Sequence, residues 1–124
     1  MPSWTDVDEL AARLPDAERG RAHDGSAAWY AGRHVFVRYR EVDGCAVAQV
    51  WSRDMDLARQ LAHREETFVR IDTFDFRVSV WALLERLDAR ELAELVLDSY
   101  AARGGVRRAE RVDEAAFFAP LDTP

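Results

Sequence analysis

His34-Val35-Phe36-Val37-Arg38-Tyr39-Arg40-Glu41-Val42-Asp43-Gly44-Cys45-Ala46-Val47-Ala48-Gln49-Val50-Trp51 is the stretch whose reading decides the fold. Two runs rich in β-branched and aromatic residues flank Asp-Gly. That is a strong hairpin signal, because a type I′ turn needs positive φ at both central residues. With Asp43-Gly44 as the turn, Val42 faces Cys45, Tyr39 faces Ala48, Arg38 faces Gln49, Val37 faces Val50 and Phe36 faces Trp51. Side chains alternate across a strand, so Val35, Val37, Tyr39, Ala46, Ala48 and Val50 share one face, the expected core face. The other face carries Phe36, Arg38, Arg40, Val47, Gln49 and Trp51.

Upstream, residues 27–31 precede Gly32-Arg33, the length of a tight turn, and read as a third strand. Residues 16–25 are polar and glycine-containing and read as a loop. Residues 5–14 place Val7, Leu10, Ala11 and Leu14 at helical spacing, stopped by Pro15, with Asp6 and Glu9 spaced as a capping box. Downstream, Ser52 or Asp54 can cap a short amphipathic helix through Met55, Ala58, Leu61 and Ala62. Residues 67–72 and 76–84 read as strands, and residues 89–103 as a helix capped by Asp88 and closed by Gly104-Gly105. Short turns between consecutive strands imply an α+β fold, an antiparallel β-sheet of about five strands with helices packed on one face. Residues 1–105 form the expected domain. Residues 106–124 read as a flexible or loosely docked tail with at most one helical turn, around residues 113–118.

The chain has 124 residues and a net charge of −6, and all 17 of its basic residues are arginine. Without lysine there is no Schiff base, pyridoxal phosphate anchor or phosphate-loop lysine. Acids outnumber arginines along the whole chain, so nucleic acid could be held only by a basic surface that folding creates. The single cysteine, Cys45, cannot form an internal bridge, and no run approaches the ~18 apolar residues of a membrane span. These features and the absence of an export signal at the N-terminus lead to the expectation of a cytoplasmic protein with no membrane association.

His23, His34 and His63 are too widely spaced for a metal pair on a helix, and Cys45 has no partner thiol. The carboxylates sit where turns and helix starts normally place them. No catalytic, cofactor-binding or metal-ligating residue is therefore expected. One constellation remains: Arg38 and Arg40 beside Phe36 and Trp51 on one sheet face, with Arg33 at the neighbouring turn and Arg53 just past the strand end. Such a pairing suits phosphate, carboxylate or base contacts. Its plain alternative is a Phe36–Trp51 cross-strand pair covered by arginine stems or by the tail.

Several segments together resemble the MmcQ/YjbR family of small bacterial proteins. They are the opening helix ending in Leu14-Pro15, the stretch Trp29-Tyr30-Ala31-Gly32-Arg33-His34-Val35-Phe36, and Val78-Ser79-Val80-Trp81-Ala82-Leu83-Leu84 followed by Leu87-Asp88 and Glu91-Leu92. The likeness covers about residues 5–103. Thr73-Phe74-Asp75-Phe76 departs from it, lacking the glycine or proline many members carry there. The resemblance implies a frataxin-like (CyaY-like) α+β sandwich, also described as double-wing, and a family commonly labelled DNA-binding. The resulting expectation is a non-enzymatic binding protein, monomer or homodimer, with DNA a weak partner through the Arg/aromatic face. The alternatives are a homodimer joined through Phe36, Trp51, Phe117 and Phe118, or an enzyme with an unrecognised site.

Overall fold

The computed structural model describes residues 2–52, 54, 60–61, 63–74 and 77–122. Helix α1 (Trp4–Ala12) starts one residue before the expected segment, and its N-cap is Ser3 rather than Asp6, with Asp6 accepting the Ser3 N–H at 2.7 Å. Six strands follow: β1 (Ala17–Arg21), β2 (Ala27–Ala31), β3 (His34–Val42), β4 (Cys45–Ser52), β5 (Phe68–Phe74) and β6 (Arg77–Leu83). A 3-10 turn (Leu84–Arg86) leads to α2 (Ala89–Gly104), α3 (Val106–Glu110) and α4 (Glu114–Asp122). All neighbours pair antiparallel in the order β1-β2-β3-β4-β6-β5. The fold is α+β, an open antiparallel sheet with helices on one face.

The central hairpin has the register its turn dictates, from Val42 opposite Cys45 to Val37 opposite Val50. Asp43 and Gly44 hold φ of 50° and 80°, the positive pair a type I′ turn requires. Val37, Ala48, Val50, Val80 and Ala82 are buried beneath Leu92, Val96 and Tyr100 of α2, with Val7 and Leu10 of α1 in the same core. Asp88 caps α2, accepting the Glu91 N–H at 2.7 Å.

Residues 16–25, expected as a loop, contain β1. Its sequence, Ala-Glu-Arg-Gly-Arg, has no apolar alternation, so backbone pairing at the sheet edge makes it a strand. Gly20 leaves room for the neighbouring ring, since a Cβ there would lie 3.2 Å from Tyr30 Cε1. Residues 106–124 also differ from expectation, forming α3 and α4 where at most one helical turn was foreseen. Phe117 is only 3% exposed, within the core, while Arg13 lies 5.2 Å over its ring and Arg90 lies 4.1 Å over Phe118. Of the helix expected after Ser52, Met55, Ala58 and Ala62 lie outside the described residues.

Candidate functional site

The face of the sheet opposite α1 and α2 carries a continuous polar and aromatic network. Strand alternation brings Arg38 and Arg40 of β3, Gln49 of β4, Ser79 and Trp81 of β6, and Arg70 and Asp72 of β5 to this side. Asp24, in the β1–β2 turn, reaches over the edge. Its Oδ2 accepts from Arg40 Nη1 at 2.8 Å and lies 2.9 Å from Arg38 Nη2. Arg40 Nε donates to Gln49 Oε1, and Gln49 Nε2 donates to Ser79 Oγ. Trp81 Nε1 donates to Asp72 Oδ2, which also holds Arg70 through its other oxygen. Arg40 and Arg70 both stack on the Trp81 ring, at 5.0 and 4.9 Å from its centroid.

Two acids thus hold three arginines, two of them against one indole. Hydrogen bonds from the Ser26 hydroxyl and backbone, with Arg38 beside them, keep the Asp24 carboxyl well below the usual carboxylate range. Asp24 therefore stays ionised from neutral into acidic solution, and the ion pairs it makes weaken only as the pH falls through that depressed value. Burial, then the Arg38 charge, lowers the Arg40 pKa, although the guanidinium remains charged at any working pH. The net formal charge of Arg38, Arg40, Arg70, Asp24 and Asp72 is one positive, on a chain that is otherwise acidic.

Of the five described residues among the six the sequence singled out, Arg38 and Arg40 belong to this network, and Trp51, opposite Ser79, lies on the same face by register. Phe36 does not. β2 pairs Trp29 with Val37 and Tyr30 with Val35, so Phe36 is an extra, bulged residue, fully buried and edge-on to Tyr100 at 5.3 Å. Trp51 does not face Phe36, because the β3–β4 pairing ends at Val37 and Val50. Its ring lies instead beneath Arg103 of α2, at 5.0 Å. Arg33 occupies the exposed Gly32 turn, roughly 16 Å from Arg38 at the usual rise of a strand. Arg53 lies outside the described residues.

Trp81, Arg70, Asp24 and Asp72 were missed. A signal existed for Trp81: Val78, Val80 and Ala82 alternate with Ser79 and Trp81, which assigns the indole to the face away from the core. Nothing local said that β6 would lie beside β4, because β5 intervenes in sequence. A cleft of about 630 Å³ between α1, the start of α2 and α4 is lined by none of the six candidates. No described helix is long and apolar enough to cross a membrane. The geometry thus defines an α+β sheet protein with an Arg/Trp surface that no described helix covers. A scan of family models and searches of curated proteins and of solved structures return no significant match.

Proposed function

We propose that this chain is a non-enzymatic binding protein whose open sheet face docks an acidic segment of a partner protein. The observation that carries this reading is Trp81 flanked by Arg40 and Arg70, the residue types that dominate binding energy at protein interfaces. Asp24, Asp72 and Gln49 hold the arginines in place, so little side-chain freedom remains to be lost on binding. One net positive charge suits a carboxylate beside an apolar side chain. It is a poor match for the row of phosphates a duplex presents.

Duplex DNA is the second reading, supported by the resemblance to MmcQ/YjbR proteins, as is the frataxin-like sandwich. Fold analogy alone is a weak warrant for function. The homodimer reading is weakened by Phe36 and Phe117, which lie in the core and offer nothing to a second copy.

Titrating labelled protein with a glutamate-rich peptide tests the reading. The Trp81 indole resonance should shift saturably, and Arg38→Ala with Arg40→Ala should weaken binding about tenfold, as expected for two solvent-exposed ion pairs of under about 1 kcal/mol each. A short DNA duplex should bind weakly or not at all at ~150 mM salt. A submicromolar duplex complex, with a log–log salt slope of about −0.9 per phosphate contacted and abolished by Arg38→Ala, would restore the DNA reading. No Trp81 response to the peptide would remove the sheet face as the docking surface.

A further inference from the structure

We infer that a second site, at the corner where α2 meets α3, binds a compact phosphate-type dianion. A cleft of about 410 Å³ opens there, lined by Asp16, Gly104, Gly105, Arg107, Arg108 and Arg111. Three guanidiniums and one carboxylate leave two positive charges in a small concavity of a chain whose net charge is −6. Such a local reversal of sign concentrates anions from solution.

The arginines are positioned before any ligand arrives. Asp16 Oδ2 accepts from Arg111 Nη1 at 2.9 Å and from Arg108 Nε at 3.3 Å, so two guanidiniums converge on one oxygen. The Arg111 hydrogen bond and charge are the main reason the Asp16 carboxyl titrates below its usual range. Arg108 Nη1 also donates to Gly104 O at 3.0 Å, and its far end lies against the Gly32 turn. Arg107 is exposed and has no hydrogen bond or ion pair among the described residues.

The charge on α3 is sorted by face. Arg107, Arg108 and Arg111 border this cleft, while Glu110 borders a separate one with Asp54 and Asp98. A purely structural role would account for Arg108, which ties α3 to α2 and to Asp16, just ahead of β1. It does not account for Arg107 on the same side. Forked guanidinium donors match the oxygens of a phosphate group, and a doubly charged head balances the site.

The test is a titration of the labelled full chain with pyrophosphate and with inorganic phosphate, against sodium chloride at matched ionic strength. Saturable shifts at the Gly104, Gly105 and Arg107 amides are expected for the phosphates and not for chloride, with the Trp81 indole unmoved. Arg107→Gln, which breaks no described contact, should weaken pyrophosphate about fivefold, the upper end for an exposed ion pair. Arg38→Ala should leave this binding unchanged. Equal shifts with chloride, or an affinity unaltered by Arg107→Gln and Arg111→Gln together in a folded protein, would overturn the inference. Because the readouts and variants differ, failure here leaves the sheet-face reading standing, and the converse holds.

Discussion

Phe117→Ala is expected to destabilise the protein by about 3–5 kcal/mol, the usual cost of emptying a buried phenylalanine site. Phe117 is only 3% exposed, within the same core as Leu10, Leu14 and Leu92. In a chain of this length each kcal/mol moves the thermal midpoint by roughly 3–6 °C, so a loss of roughly 10 °C or more should appear in a melt. Phe118→Ala should cost less, because that ring is only half-buried beneath Arg90. Truncation after Gly105 should be at least as damaging as Phe117→Ala, since it also removes Arg108 and Arg111 from Asp16. A Phe117→Ala protein that melts within two or three degrees of the parent would show that α4 does not dock in solution.

That expectation reverses the one drawn from sequence, and the reason is physical. The Gly104-Gly105 pair was a sound stop signal: Gly105 does leave the helical region, with φ of 89°. A helix stop does not say where the chain goes next. Residues 106–124 have too few periodic apolar residues to announce a helix, and the order of residues 106–122 comes from Phe117 and Phe118 meeting Arg13 and Arg90. The same division runs through the sheet. The β3–β4 hairpin was legible because its turn chemistry and its alternation agree. β1 was hidden because an edge strand can be held by backbone bonds alone. Arg38, Arg40 and Trp51 lie on the face that alternation assigned them, since alternation holds along that half of β3 and along β4. Phe36 was misplaced because a bulge, set by the pairing with β2, interrupts the alternation one residue before Val37.

The bulge leaves a gap that α2 fills, and Ser99→Ala tests how much that matters. Past Val37 and Val50, β3 and β4 part, so the Phe36 carbonyl and the Trp51 N–H lose each other as ladder partners. Ser99, with no exposed surface, sits between them: its Oγ accepts from Trp51 N at 2.8 Å, and its hydroxyl donates to Phe36 O. One hydroxyl thus satisfies a donor and an acceptor that would otherwise be buried and unpaired. Each such group left unsatisfied costs about 1–3 kcal/mol, so Ser99→Ala should lower stability by about 2–6 kcal/mol. A general cavity effect could give part of that loss, but deleting one oxygen leaves little void, and the location of the damage separates the two causes. Native-state hydrogen exchange should show the Trp51 amide losing protection well beyond the global change, while Val50, still paired with both Val37 and Val80, tracks the global value. If Ser99→Ala costs under about 0.5 kcal/mol and the Trp51 amide stays protected, the strands have closed on each other directly. The serine wedge would then be dispensable to the splayed sheet.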